Sequence, residues 1–225
     1  MLNNDLNQWY TDGEGQLTGI GDGEYKIQVA TPYTLWCPTP AAASVELSLE
    51  CKLETPNSAM LVAGHAQCWQ GEKGLLEQSR RGAYGDYAFG TLEMYTVGFN
   101  RTSHVTNETQ PNASTANVRR IGGPEGAGYA DVDLTVDTPE MKARWAAWNR
   151  STLLCSVAEP ASGIDTFYRY AIRFLDGAVE LHLGDQMLLH VEDHKPSPLT
   201  HGYVAIRNMT PGATFRVRNI AIAEL

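Results

Sequence analysis

The sequence predicts an all-β protein, a jelly-roll sandwich of two antiparallel sheets with one short inserted helix. Most segments of the 225 residues alternate apolar and polar side chains with period two, as half-buried antiparallel strands do. Gly, Pro, Asn and Asp occupy the breaks between these segments. About a dozen such strands exceed what one open sheet holds without curling, so we expect two packed sheets. The predicted strands cover residues 25–30, 33–37, 44–53, 59–69, 90–101, 115–121, 131–136, 167–175, 178–183, 186–191, 202–207 and 213–223.

Individual elements support this prediction. Segment 44–53 places its apolar side chains, Val45 through Leu53 at every second position, on one face and its charged side chains on the other. Asp176-Gly177 and Gly184-Asp185 each separate two alternating runs, which predicts two hairpins. Residues 138–150 form the one predicted helix, because Thr138 suits the N-cap and Pro139 the first helical position.

Length and composition favour one domain, residues 1–225, with a large core. The four cysteines show no C-x-x-C spacing, and we expect them to be reduced thiols. No segment approaches 18 consecutive apolar residues, so a membrane partner is not expected. The first residues show no signal-peptide pattern; the prediction is a cytoplasmic protein where Met1 is the natural start, and a periplasmic or secreted one otherwise.

Charge excludes one large class of partners. The formal net charge of −9 repels phosphate backbones, so nucleic acid is not an expected partner. Twelve of the 17 basic residues are arginine, the side chain best suited to bidentate capture of carboxylate. The composition is therefore compatible with binding of a small acidic ligand.

Three central strands carry polar side chains on shared faces. His65, Gln67 and Trp69 alternate along one strand, Glu93, Tyr95 and Arg101 along a second, and Asn117 and Arg119 along a third. Should these strands be neighbours, one groove is lined by His65, Gln67, Trp69, Tyr95, Arg101, Asn117 and Arg119. Such a groove suits an oligosaccharide, because aromatic rings stack on a pyranose while amides and guanidinium groups bind its hydroxyls or carboxylate.

For a uronate substrate this set predicts lyase-type β-elimination. Guanidinium and amide groups would neutralise the carboxylate, and His65 and Tyr95 would transfer the protons. Two alternatives stay open: a non-catalytic glycan-binding or accessory module, and a glycoside hydrolase using Glu93 and Asp86. The hydrolase alternative lacks a compact E-x-D-x-x-E run. His65 could equally be hydrogen-bonded within the sheet, and Glu93 could brace a nearby arginine.

No cofactor is predicted. His182, His190 and His194 lie near Glu192 and Asp193, but the surrounding strand and turn pattern does not favour three converging zinc ligands. We therefore expect no metal in the site, while structural calcium with oxygen ligands stays open. No phosphate-binding glycine loop precedes a helix.

Five short motifs together resemble one family. They occupy residues 35–38 (LWCP), 93–101 (EMYTVGFNR), 115–120 (TANVRR), 168–170 (YRY) and 205–211 (AIRNMTP). In order and spacing they resemble the YesU-like family of concanavalin-A-like lectin/glucanase jelly rolls, bacterial proteins of pectin and rhamnogalacturonan utilisation loci. The resemblance implies a carbohydrate context and places the family's polar positions at Tyr95, Asn100, Arg101, Asn117, Arg119 and Arg207. A second arginine is usual where Asn100 stands, which weakens transfer of an acidic substrate.

The combined prediction is a protein that acts on acidic oligosaccharides, with His65 and Tyr95 as catalytic residues. The predicted substrate-binding residues are Gln67, Trp69, Glu93, Asn100, Arg101, Asn117, Arg119 and Arg207. An oligosaccharide is the expected partner, and the oligomeric state, a homodimer included, stays open.

Overall fold

The computed structural model describes residues 2–56, 58–68, 74–77, 92–100, 115–122, 138–140, 143, 151–160, 163–195 and 197–225. These residues contain two short 3-10 helices, Leu6–Gln8 and Leu75–Glu77. They also contain fourteen strands: β1 (Tyr10–Asp12), β2 (Gly15–Gly21), β3 (Glu24–Val29), β4 (Tyr33–Trp36), β5 (Val45–Leu53), β6 (Met60–Cys68), β7 (Leu92–Phe99), β8 (Thr115–Ile121), β9 (Thr152–Ala158), β10 (Tyr168–Phe174), β11 (Ala178–Leu183), β12 (Gln186–Glu192), β13 (Tyr203–Asn208) and β14 (Thr214–Glu224).

The strands form two antiparallel sheets of seven strands each. Sheet A has the order β1-β4-β13-β6-β7-β8-β9, and sheet B has the order β12-β11-β10-β5-β14-β3-β2. Half of the neighbouring pairs join strands that are not consecutive in sequence, because the chain crosses repeatedly between the sheets. The predicted jelly-roll sandwich of two antiparallel sheets is confirmed.

The main core lies between the sheets and comes from alternation within each strand. In β5, Val45, Leu47, Leu49, Cys51 and Leu53 are buried, and the residues between them are half-buried, as the sequence predicts. Each such aliphatic side chain contributes about 1.5–3 kcal/mol on burial. Sheet A contributes residues such as Val62, Val97 and Val118 to the same core.

Glycine residues at the turns allow the two predicted hairpins to form. Gly177 and Gly184 have φ angles of 73° and 58°, which glycine adopts without steric cost. The turns connect β10 to β11 and β11 to β12, and both pairs are antiparallel as expected.

Three strands escape sequence prediction. β1 has only three residues, β2 is rich in glycine, and β9 has no clear apolar alternation. The predicted strand 131–136 lies outside the described residues, as does most of the predicted helix. Pro139, Glu140 and Ala143 of that helix are helical. No helix in the described ranges has the length and apolar character needed to cross a bilayer.

A bulge in β6 interrupts its alternation. The pairing of β6 with β7 shifts between Gly64 and Gln67, and His65 has a φ of 49°. Gly64 lies directly against the Phe174 ring, where a Cβ atom would come within 2.2 Å of Cδ2. The extra residue changes which side chains of β6 face the core.

Candidate functional site

The outer face of sheet A, directed away from the core, is crossed by two rows of directly paired residues. Directly paired residues on adjacent strands face the same side of a sheet. The first row runs through every strand of the sheet: Asp12, Thr34, Arg207, Leu61, Gly98, Asn117 and Ser156. The second row lies beside it: Tyr10, Trp36, Ala205, Ala63, Thr96, Arg119 and Leu153. This register places Arg207, Asn117 and Arg119 on one face.

The part of this face near β1 and β4 is buried and hydrogen-bonded. Trp36 Nε1 donates to Asp12 Oδ2 at 2.6 Å, and Arg207 Nη1 donates to Thr34 Oγ1 at 2.6 Å. The Arg207 side chain is only 3% exposed. These contacts hold the polar side chains in place on the sheet.

An apolar cluster covers one end of the same face. Leu75, from the second 3-10 helix, is buried there beside Leu92, Met94 and Ile121. The cluster also includes Trp36, Ala63 and Ala205 of the second row and Ala66 of β6. Within the described residues, the polar part of the face that this cluster leaves open lies toward β8 and β9.

Asn117 and Arg119 form that open part. Both side chains are half-buried, and they are two residues apart on β8. The Asn117 amide lies over Gly98, because a Cβ atom on that glycine would be 3.3 Å from Oδ1 and 3.4 Å from Nδ2. Arg119 Nη1 donates to Ser151 Oγ at 3.3 Å. In the described part of the chain, no carboxylate pairs with Arg119 and no hydrogen bond occupies the Asn117 amide.

The outer face of sheet B differs in that three of its arginines are paired with carboxylates, while a fourth, Arg169, is exposed. Arg173 Nε lies 2.7 Å from Glu46 Oε2, and Arg218 Nε lies 2.8 Å from Glu50 Oε2. Arg216 is paired with both Glu24 and Glu54. These three cations stabilise the sheet, whereas Arg119 has no carboxylate partner among the described residues.

His65 is not on the outer face. It is fully buried, and its ring centroid is 5.9 Å from that of Phe174 and 6.3 Å from that of Tyr95. Its Nδ1 is 2.9 Å from the Leu199 carbonyl oxygen, and its Nε2 is 3.3 Å from that of Ala43. Burial lowers the pKa of His65 despite these two contacts. The expectation that His65 lines the outer groove is wrong, because the β6 bulge turns it inward.

Tyr95 also faces the core, together with Val97 and Phe99. Its hydroxyl donates to Asp193 Oδ2 at 2.8 Å and accepts from the Leu199 backbone N–H at 3.1 Å. Burial, and then the neighbouring Asp193 carboxylate, raise the pKa of Tyr95. The predicted common groove for Tyr95 and Asn117 is therefore wrong, since they lie on opposite faces of sheet A.

Arg120 completes this buried polar cluster. Its Nη1 donates to Asp193 Oδ2, and its Nη2 donates to the Ser197 carbonyl at 2.8 Å. Desolvation raises the pKa of Asp193, but the hydrogen bonds from Arg120 and Tyr95 outweigh it and the net pKa is lowered. The cluster connects sheet A to the segment between β12 and β13, which is a structural role.

Two further predicted residues lie near this cluster. Glu93 Oε2 is 3.5 Å from Arg120 Nη2, and Gln67 is paired with Glu93 across β6 and β7. Glu93 thus lies on the same side of β7 as Tyr95 and braces an arginine, although the partner is Arg120. The structure places neither residue beside Asn117, which pairs with Gly98, so the expectation that Gln67 shares a groove with Asn117 is wrong.

Asn100 lies at the far end of β7 and is fully buried. Its backbone N–H donates to Glu159 Oε1 at 2.9 Å, and its Nδ2 lies 3.5 Å from the Cys51 Sγ atom. Burial raises the pKa of Cys51 to about 12, as expected of a core thiol. Asn100 therefore belongs to the core, and the expectation that it contacts a ligand in the groove is wrong.

Some predicted residues are outside the structural description. Trp69, Arg101 and Asp86 lie outside the described residues. Among the described residues no group of three His, Cys, Asp or Glu side chains has the arrangement of a metal site. Glu180 instead accepts from His182 Nε2 at 3.1 Å and His190 Nδ1 at 3.2 Å, and it also pairs with Arg173.

Sequence reasoning missed several members of the outer face. Thr34 and Trp36 flank Arg207 there, and Ser151 holds Arg119. The signal for Thr34 and Trp36 is the alternation of β4, in which Tyr33 and Leu35 face the core. Ser151 has no such signal, because it precedes a strand that the sequence does not predict.

Comparisons with known proteins support a lectin-like fold. No protein-family model matches the chain, and neither does a curated protein. A Bacillus subtilis protein of unknown function with a galectin-like fold is 18% identical with a TM-score of 0.73, covering 99% of this chain and 91% of that one. Carbohydrate binding module CBM66 from Bacillus subtilis is 7% identical with a TM-score of 0.57, covering 100% of both chains.

A third solved structure is the legume lectin-like domain from Entamoeba histolytica, which is 14% identical with a TM-score of 0.55. The match covers 98% of this chain and 91% of that chain. At such identities the likeness shows the fold alone, and the YesU-like resemblance stays a prediction. The chain therefore has the sandwich fold that galectin-like and lectin-like proteins share.

Proposed function

We propose that this protein binds a glycan on the outer face of sheet A, at Asn117 and Arg119. The observation that carries the proposal is the Arg119 guanidinium, which is half-buried on that face and has only Ser151 Oγ as a hydrogen-bond partner in the described residues. The likeness to a carbohydrate binding module and to a lectin-like domain supports a sugar as the ligand.

The side chains favour an acidic sugar. A guanidinium binds a carboxylate through two parallel hydrogen bonds, and such charge-assisted bonds are roughly twice as strong as neutral ones. The Asn117 amide offers both a donor and an acceptor to ring hydroxyls. Leu61, in the same row and half-buried, supplies an apolar surface for a ring face. We therefore propose a uronate-containing oligosaccharide as the ligand.

The geometry does not favour lyase chemistry. A proton-transfer residue must come within hydrogen-bond distance of the substrate. The Tyr95 hydroxyl is already bonded to Asp193 and Leu199, and His65 is buried between the sheets. A hydrolase using Glu93 meets the same difficulty, because that carboxylate faces Arg120 on the other side of sheet A. Binding without turnover is the function that the arrangement supports best.

Calorimetric titration with acidic and neutral oligosaccharides of matched length tests this proposal. Arg119→Gln should weaken binding of the acidic ligand by about 10–100-fold, since a charge-assisted hydrogen bond contributes about 1.5–3 kcal/mol. The same variant should change binding of the neutral ligand less. Arg169→Gln is the matched control, because Arg169 is exposed on the outer face of sheet B. Equal affinity of wild type and Arg119→Gln for the acidic ligand would contradict the proposal.

A product assay on the same samples separates binding from catalysis. We expect neither absorbance from an unsaturated uronate nor new reducing ends after long incubation with the acidic oligosaccharide. Steady formation of either product would show that the binding proposal is incomplete. Loss of that activity in Tyr95→Phe would restore the lyase hypothesis.

A further inference from the structure

Strand β2 is an open edge of sheet B. In the described part of the chain it pairs only with β3, so its other side has no strand partner. Six of its seven residues are exposed, and Ile20 is 44% exposed. An unpaired edge presents a row of backbone N–H and C=O groups that another strand can complete.

The edge lacks two of the features that usually prevent such pairing, although the register of β2 with β3 shifts between Gly19 and Gly21. Residues 15–21 contain no charged residue and no proline, whereas edge strands are commonly protected by charges or proline. Other edges of the described sheets differ: β1 has three residues, β12 carries His190 and Glu192, and β9 packs against β12. Two copies of a chain with net charge −9 approach with least repulsion at a neutral edge.

We propose that β2 pairs in antiparallel fashion with β2 of a second copy, around a two-fold axis at Thr18. This register places Thr18 opposite Thr18 and Leu17 opposite Gly19 of the second copy. Leu17 packs partly against the core, and a glycine opposite it leaves space for its side chain. The sequence around Thr18 is thus complementary to itself, as an interface related by two-fold symmetry requires.

The proposed dimer joins the two copies of sheet B into one continuous sheet. The two-fold axis between antiparallel strands runs normal to the sheet, so it does not exchange the two faces. The outer faces of sheet A in both copies therefore lie on the same side of the dimer. Such an arrangement favours attachment to a surface that carries repeated ligands.

Sedimentation equilibrium over a wide concentration range tests the dimer. We expect the mass to rise above 24.7 kDa with concentration. Thr18→Lys places two like charges beside the axis and should raise the dimer dissociation constant at least 10-fold. Gln28→Lys adds the same charge on β3, one strand from the edge, and should leave the dimer intact. A wild-type monomer at all concentrations would overturn the proposal.

Cysteine crosslinking tests the register. Thr18→Cys places two thiols at directly opposed positions, where Cα atoms are about 4.5–5.5 Å apart, within disulfide range. Gln16→Cys is the control, because position 16 of the second copy lies four residues away, about 13 Å along the strand. We expect a disulfide-linked dimer for Thr18→Cys alone. Equal crosslinking of both variants, or a dimer unaffected by Thr18→Lys, would overturn this interface.

Discussion

The Tyr95 hydroxyl donates a hydrogen bond to Asp193 Oδ2 at 2.8 Å and so connects the centre of sheet A to the residues that follow β12. The same hydroxyl accepts from the Leu199 backbone N–H. Arg120 binds the same carboxylate from the neighbouring strand. A residue whose type suggests acid catalysis is thus part of a buried structural cluster.

Tyr95→Phe should reduce stability and leave glycan affinity unchanged. The substitution removes one of the donors to Asp193, which keeps Arg120, and removes the acceptor of the Leu199 N–H. A buried polar group left unpaired costs about 1–3 kcal/mol. Urea denaturation measures the change in the free energy of unfolding. The opposite result, unchanged stability with loss of ligand binding, would show that the hydroxyl contacts ligand.

His65 should make stability depend on pH near neutrality. Its pKa in the folded protein is below the ordinary 6.5 because the ring is buried. Between those two pKa values the unfolded chain binds one proton that the folded protein does not. The free energy of unfolding is therefore highest above pH 6.5 and decreases as the pH falls below that value. His65 contributes at most about 1.4 kcal/mol per pH unit to the slope of the unfolding free energy against pH.

His65→Gln should flatten the dependence of the unfolding free energy on pH between about 5 and 7. His194→Gln, at an exposed histidine, is the control and should keep the wild-type slope. Because His65→Gln also lowers stability overall, NMR titration of the wild-type imidazole provides a second test. An imidazole that titrates at or above its ordinary pKa would contradict the buried, neutral state.

Gly64→Ala should be among the most damaging single-methyl changes in the protein. The added Cβ meets the Phe174 ring at 2.2 Å, and relief requires movement of a buried aromatic side chain. Overpacking of this kind costs about 3 kcal/mol. Phe174→Leu in the Gly64→Ala background should recover part of the loss, and a strictly additive double variant would contradict this contact.

Strands β5 and β7 show which features of the fold can be predicted from the sequence and which cannot. In β5 the alternation of apolar and polar residues identifies both the strand and its buried face, because only one face is apolar. In β7 both faces are apolar: Met94 lies on the outer face and Tyr95 on the inner. Alternation there shows which residues share a face, but the choice of face depends on sheet pairing.

The candidate site could likewise be predicted only in part from the sequence. Asn117 and Arg119 do share a face, as predicted, and Arg207 joins them through the sheet register. His65 does not, since one additional residue in β6 reverses the alternation that follows it. A bulge of this kind has no strong local sequence signal. Strand β2 was missed for another reason: its glycines are more typical of turns than of strands.

Gly98→Ala should weaken glycan binding without loss of stability. The new methyl group displaces the Asn117 amide, which lies 3.3–3.4 Å from the position of that Cβ atom. We expect about a 5-fold lower affinity, equivalent to one weakened hydrogen bond. In an Asn117→Ala background the same change should have no further effect. Equal losses in both backgrounds would show that Gly98 acts independently of Asn117.

NMR titration with a uronate-containing oligosaccharide shows which face of the protein binds the ligand, because backbone amide shifts report where the ligand binds. We expect the largest shifts at residues 96–98 and 117–119 of sheet A, around Asn117 and Arg119 on its outer face. Residues 46–50 and 216–218 of sheet B should change little. Shifts confined to sheet B, or no shifts at millimolar ligand, would contradict the proposed binding face.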